Sequence, residues 1–382
     1  MRMRSTAPFA VSAAPAEAKH GIKTYAERPG SFAKTCTVDA VDLFCGGGGL
    51  TCGLRKAGIN VKMGVEIDPM CRYAYEHNNG GAIFLEKSVV DLKAAEIRNC
   101  FEHGHVSLLA GCPPCQTFSS YNQKAKHQDP RYRLPNEFGR LVREVMPDIV
   151  SLENVPLLTK RPIFSNLVKE MKNLGYHVDW RIVFCPDYGW PQRRKRLVLL
   201  ASRLGPIEVP APTHAKPPTV REMIGDLPKL RHGKCDPNDR LHFCAALSPL
   251  NLERIRHSKQ GGSWRDWPKK LIAKCHKKKS GKTYPGVYGR MSWDKPAPTM
   301  TTQFYGFGNG RFGHPEQNRA ISIREGAIFQ GFPKDYQFLP EGARHNISLL
   351  GKMIGNAVPV QLGEMVGRTI MDHVRKYSGV SK

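Results

Sequence analysis

Two thiols occupy an unusual setting in the stretch Gly111-Cys112-Pro113-Pro114-Cys115-Gln116-Thr117-Phe118-Ser119. The apolar run 106–110 before it reads as a strand, so both sit where a strand hands over to a loop. Two chemistries compete for them. Cys112 and Cys115 could form a redox or metal-binding pair, or Cys115 could act alone as a nucleophile. A redox pair belongs after the first strand of a small domain, which is not its place here. A metal site needs two further ligands at matched spacing, and none is evident nearby, so no metal is expected. A buried, inert thiol remains the plain alternative for either residue. Glu153 ends another apolar run, in Ser151-Leu152-Glu153-Asn154-Val155-Pro156. Alone, such a glutamate is more often solvated or salt-bridged. Arg194 and Arg196 lie in the basic run 192–196. They share a parity, so in an extended chain both face one side. A basic run by itself usually means a solvated face or phosphate contacts.

A second group suggests a bound small molecule. In Val41-Asp42-Leu43-Phe44-Cys45-Gly46-Gly47-Gly48-Gly49-Leu50 a strand runs through four glycines into a helix. Glycines at a strand's carboxyl end let the backbone approach a ligand, although an ordinary tight turn would look the same. The next strand ends in Val65-Glu66-Ile67-Asp68, and a carboxylate there can hold ribose hydroxyls. Asp91 closes Ser88-Val89-Val90-Asp91. A glycine-rich end followed by two acidic ends suggests an adenosine-type ligand. No lysine follows the glycines to clamp a phosphate, which argues against a P-loop.

The elements that would position these groups are implied by an alternation. Apolar runs at 38–44, 61–67, 82–85, 106–110, 148–152, 177–184 and 197–201 alternate with helix-like segments at 50–57, 69–77, 92–101, 136–145 and 164–174. Such alternation predicts an α/β fold with a mostly parallel sheet. Prolines 206, 210, 212, 217 and 218 then punctuate a linker. The next stretch is polar and basic, with Lys277, Lys278 and Lys279 near Trp264 and Trp267, and has no clear period. We read 205–288 as a smaller, irregular domain. The larger one spans 38–204 plus 289–382 and ends in a helix over 360–377. Residues 1–37 read as a flexible basic arm, in preference to an organelle targeting signal.

The chain has 382 residues, room for two such bodies, and a formal net charge of +25. That excess suggests a polyanionic partner, nucleic acid before an anionic membrane. No apolar run reaches membrane-spanning length. The 11 cysteines, an odd number and often inside apolar runs, fit reduced cytosolic thiols better than a disulfide scaffold.

Taken together the motifs closely resemble the DNA cytosine C5-methyltransferase family. The 44–49 loop, Glu66, Pro114-Cys115-Gln116, Glu153-Asn154-Val155 and 192–196 stand in the family's order and approximate spacing. So do Arg319-Ala320-Ile321-Ser322-Ile323-Arg324-Glu325, Gln330-Gly331-Phe332-Pro333 and Ile354-Gly355-Asn356-Ala357-Val358-Pro359. The likeness covers about 39–203 and 289–374. Cys112 departs from it, because the family usually has glycine there.

The resemblance implies a Rossmann-like methyltransferase sheet, S-adenosylmethionine as cofactor, double-stranded DNA as partner, and 205–288 as target-recognition domain. It assigns covalent attack on cytosine C6 to Cys115, N3 to Glu153, and the ring O2 and positioning to Arg194 and Arg196. Phe44, Gly46, Gly48, Gly49, Glu66, Asp91 and Asn356 would bind the cofactor. Gln116, Ser119, Lys124 and Arg131 would face DNA, in a loop over 119–133 that closes on a flipped base. The implied protein is a monomer of bacterial or phage type, cytoplasmic and nucleoid-associated, with a cognate restriction endonuclease as a further partner. Two rivals stand beside it: an RNA cytosine C5-methyltransferase and a catalytically silent DNA-binding relative.

Overall fold

A computed structural model describes residues 36–114 and 130–377. Cys115, Gln116, Ser119, Lys124, the Arg131 side chain and the arm up to residue 35 lie outside them. One seven-stranded sheet organises the described chain. Its strands are β1 (Val38–Leu43), β2 (Asn60–Glu66), β3 (Ile83–Glu86), β4 (Val106–Gly111), β5 (Ile149–Asn154), β6 (His177–Phe184) and β8 (Lys195–Ser202). The spatial order is β3-β2-β1-β4-β5-β8-β6. The first five pair in parallel, and β8 enters antiparallel between β5 and β6. Two-residue strands β7 (Gln192–Arg193) and β9 (Ala297–Pro298) pair separately. The expected α/β, mostly parallel architecture is the one the chain adopts.

Alternation along each strand builds two cores. Val38, Ala40, Leu108, Ala110, Ile149, Val198 and Leu200 point to one face. There they meet α1 (Gly49–Lys56) and α11 (Val360–Tyr377). Helix α11 contributes Leu362, Val366, Ile370 and Val374, a stripe at four-residue spacing. Each such fully buried aliphatic contributes roughly 1.5–3 kcal/mol. Neighbouring residues Val41, Leu43, Leu109, Val150, Leu152, Leu197 and Leu199 point the other way. That face is covered by α4 (Leu134–Val145) and α5 (Pro162–Asn173); α2 (Arg72–Asn78) and α3 (Ala94–Arg98) complete the crossovers. Strands buried on both faces read as unbroken apolar runs. Among the described residues, the last helix, α11, therefore packs against the first, α1, on this face of the sheet.

Residues 205–288 hold only short helices, α6 (Val220–Ile224), α7 (Pro249–His257) and α8 (Lys274–Lys277), with turns between. They share their cores with residues beyond 289. Val220, Ile224, Leu241 and Phe243 pack with Met291, Phe304, Phe312, Ile323 and Phe329. Ile255, Trp264, Trp267 and Leu271 pack with Phe307 and Ala320. Helix α9 (Ile323–Phe329) anchors this body, and α10 (Ile347–Asn356) leads back to the sheet. At the head of α9, Glu325 accepts two 2.7 Å hydrogen bonds from Arg319, and both side chains are fully buried. Arg324 grips Asp239 at 2.6 and 2.9 Å. Among the described residues no helix is long and apolar enough to cross a membrane.

Candidate active site

The loops at the carboxyl ends of β1, β2 and β4 meet the α10 end around a cavity of about 270 Å3. Phe44, Cys45, Gly46, Gly47, Leu50, Glu66, Ile67 and Asp68 line one side, and Lys352, Met353, Asn356, Ala357 and Val358 the other. Phe44 adopts φ +62° and Gly46 φ +51°. This left-handed path turns the Gly46 N–H onto Oε2 of Glu66 at 3.2 Å. The other oxygen accepts from the N–H groups of Ile67 (2.8 Å) and Asp68 (3.0 Å). Three backbone donors thus aim one carboxylate at the cavity.

Asp42 is a second acid in the lining. It accepts 2.7 Å from the Thr51 hydroxyl on Oδ2, while Oδ1 is buried without a hydrogen-bond partner. Burial pushes its carboxyl up to about 7, with Glu66 adding to the rise and Thr51 opposing it. A cationic or donor-bearing ligand would relieve both acids. Lys352 on α10 reaches Asp68 at 2.9 Å, linking the two ends of the chain across the cavity.

Not every expected cofactor residue lies in the lining. A side chain at Gly48 would meet Asn79 Nδ2 and the Tyr336 hydroxyl, and one at Gly49 the Val358 carbonyl at 2.5 Å. These glycines admit neighbouring chain, not the cavity. Asp91 is exposed, on a 3-10 turn (Val89–Asp91) several residues past β3. It ends a turn and not a strand, and is not among the cavity's lining residues.

Cys112, Pro113 and Pro114 also line the cavity, and hydrogen bonds join this loop to the end of β5. There Glu153, only 6% exposed, ion-pairs with Arg196 Nε through Oε1 at 2.6 Å. Its Oε2 accepts from the Cys112 thiol at 2.7 Å. Asn154 donates to the Pro113 carbonyl at 3.0 Å and so pins the loop that leads to Cys115. Arg194 is buried beside this group and donates to the carbonyls of Met300 (2.8 Å) and Gly355 (3.4 Å). It ties β7 and β8 to the C-terminal segment, which parity alone did not reveal. Burial pushes the thiols of Cys45, Cys52, Cys71, Cys100, Cys185 and Cys244 up, Cys71 to about 12 and Cys185 to about 11. Those thiols are poor nucleophiles at neutral pH.

Three groups of the site escape a reading of the sequence. Asp42 stands in the glycine motif without an evident role. Lys352 carries no signal. The Cys112 to Glu153 contact needs the adjacency of β4 and β5. Away from the site, Asp39, Glu102 and His105 cluster, but there Asp39 accepts from Asn60 (2.8 Å), the Glu102 N–H (2.9 Å) and His105 (2.9 Å).

The chain has known relatives. The profile of the family described as C-5 cytosine-specific DNA methylase matches residues 38–372. The chain belongs to that family. It is 48% identical over 335 residues to the Type II methylase M.HgiDII of Herpetosiphon aurantiacus, covering 86% of this chain and 94% of that one. It is 30% identical to the Type II methyltransferase M1.HphI of Haemophilus parahaemolyticus, covering 87% and 86%. A solved DNMT2 mutant from Spodoptera frugiperda superposes with a TM-score of 0.61 at 15% identity, over 87% of this chain and 99% of that one. That likeness concerns the fold. The enzyme class of the chain is DNA (cytosine-5-)-methyltransferase.

Proposed function

We propose that this methyltransferase moves the methyl group of S-adenosylmethionine to C5 of a cytosine flipped out of a specific double-stranded DNA sequence. The observation that carries the reading is the junction of two sites. A cavity with three acids, Asp42, Glu66 and Asp68, and an apolar wall is lined by Cys112, Pro113 and Pro114, the residues that precede Cys115, beside the Glu153–Arg196 pair.

The residues present suit the cofactor. Glu66 is the group to hold ribose hydroxyls, Phe44 and Ile67 offer apolar surface, and the unpartnered Oδ1 of Asp42 suits an ammonium. When bound, S-adenosylmethionine supplies an electrophilic methyl group. The thiolate of Cys115 adds to C6 of the ring, which makes C5 nucleophilic. Glu153 meets N3, where charge develops as sulfur adds, and Arg196 holds the Glu153 carboxyl and reaches towards O2. A base then removes the C5 proton, the C6–S bond breaks, and Cys115 is regenerated. Asn356 completes the cofactor pocket. Gln116, Ser119, Lys124 and Arg131 face DNA. Residues 205–288, supported by the shared cores after Gly289, read the sequence, and their lysines contact phosphates. As with the Type II relatives, a restriction endonuclease is the expected companion. We take the enzyme as a cytoplasmic monomer.

The test is methylation of duplex DNA by the purified protein, followed by nucleoside mass analysis and sequencing of the modified positions. Sequence-specific 5-methylcytosine is the expected product. Transfer to RNA alone, or binding without transfer, would overturn the reading. A second expected result concerns the cofactor. Glu66→Ala should weaken S-adenosylmethionine by roughly 1.5–3 kcal/mol, about 10- to 150-fold, with DNA affinity little changed. Unchanged cofactor affinity in a calorimetric titration would contradict the placement.

A further inference from the structure

The last torsion of a glutamate is broad and roughly two-fold, so a single anchor leaves the Glu153 carboxyl free to turn. Arg196 supplies one anchor, on Oε1. The second comes from the preceding loop, where the thiol of Cys112 donates to Oε2 at 2.7 Å. Cys112 is itself fixed on both sides. Its N–H donates to the Leu43 carbonyl of β1 at 3.2 Å, and the next carbonyl, that of Pro113, accepts from Asn154. Backbone from β1 and a side chain from β5 therefore place this sulfur against a buried acid, at a position where glycine is the family's usual residue.

We propose that Cys112 is a positioning residue for methyl transfer. Its thiol fixes the plane of the Glu153 carboxyl, while Cys115 does the covalent chemistry. The proposal rests on Glu153 serving the cytosine ring. It also gives the Cys112–Cys115 spacing a meaning other than a redox or metal pair.

The experiment is single-turnover methyl transfer at neutral pH and saturating DNA and cofactor, for wild type, Cys112→Ala, Cys112→Gly, Cys112→Ser and Glu153→Gln. Cys112→Ala and Cys112→Gly should stay active and fall about three- to tenfold, a thiol being a weak donor. Cys112→Ser should keep the wild-type rate, because its hydroxyl can donate. Because Cys112 also lines the cavity, cofactor affinity is titrated separately and should change less than about threefold. Alanine and glycine rates equal to wild type would overturn the proposal, as would a serine rate as low as that of alanine. Glu153→Gln should lose at least about 100-fold. A near wild-type rate for that variant would instead remove the role of Glu153, and the proposal with it.

Discussion

Cys115→Ala should abolish methyl transfer while leaving sequence-specific DNA binding within a few-fold of wild type. The two effects separate because they rest on different atoms. Cytosine C5 is too weak a nucleophile to take a methyl group until sulfur adds at C6, and an alanine methyl cannot add. Binding rests on phosphate contacts and base-edge contacts spread over a chain of net charge +25, and one small side chain alters little of that. None of the cysteines that line the cavity is suited to substitute. Burial holds the Cys45 and Cys71 thiols protonated, and the Cys112 thiol is engaged with Glu153. A duplex carrying 5-fluorocytosine at the target sharpens the measurement, because the C5 fluorine blocks the final elimination. Wild type should then form a denaturant-resistant protein–DNA adduct, and Cys115→Ala none. Turnover near the wild-type rate, or an adduct that persists in the variant, would overturn the assignment. Cys235→Ser, at an exposed thiol in the second body, should turn over normally.

Much of the sheet is legible because β1, β4, β5 and β8 are largely buried on both faces, while β6, where only Val183 is buried, is legible from its apolar residues alone. The run at 177–184 and strand β6 coincide, and the run at 38–44 differs from β1 by one residue. Periodicity gives the kind of element, however, and not its neighbours. Nothing in residues 195–202 says that this strand enters antiparallel between β5 and β6. That placement is what brings Arg196 to Glu153, since in the β5–β8 register Glu153 lies opposite Val198, two residues away.

The same limit explains the uneven reading of the site. Glu66 is visible as a strand-end acid, but its three backbone donors depend on the left-handed turn through Phe44 and Gly46. Gly48 and Gly49 look like ligand-facing glycines because a glycine that admits a ligand and one that admits a neighbouring segment have the same sequence signature. Their neighbours, Tyr336 and Val358, are about 300 residues away in the chain. Asp91 looks like a strand end because three apolar-flanked residues precede it, yet Ser88 caps a 3-10 turn through its hydroxyl and ends the extended path first. In 205–288 no period is visible because the segment forms only short helices and completes its cores with residues beyond 289.

Glu325→Gln should destabilise the protein by about 3–5 kcal/mol, the range for breaking a fully buried ion pair. The motif Arg319-Ala320-Ile321-Ser322-Ile323-Arg324-Glu325 enters the sequence reading only as part of the family resemblance, and in the fold it is a brace. Glu325 accepts both 2.7 Å bonds from Arg319 and a 2.6 Å bond from the Ser322 N–H, and the Ser322 hydroxyl caps the same helix in return. Burial alone would raise the Glu325 carboxyl; Arg319 overrides it and holds the group down at about 2. A carboxyl depressed in the folded state contributes stability above its unfolded pKa, near 4.3, and loses that contribution as pH falls towards 2. Glutamine should remove this part of the acid dependence and leave Arg319 as an uncompensated buried charge. The double variant Arg319→Met with Glu325→Gln should recover part of the loss, because the stranded charge is gone. Urea unfolding of the three proteins at neutral pH and near pH 3 measures both terms. A loss under about 1 kcal/mol for Glu325→Gln, or no recovery in the double variant, would show that the pair does not brace the second body. The brace has a consequence for recognition. Arg324 on the same helix grips Asp239 inside 205–288. With recognition proposed for 205–288, partial unfolding at α9 should cost DNA specificity, and cofactor binding with it, because Met353 on the cavity wall packs in the same core as α9.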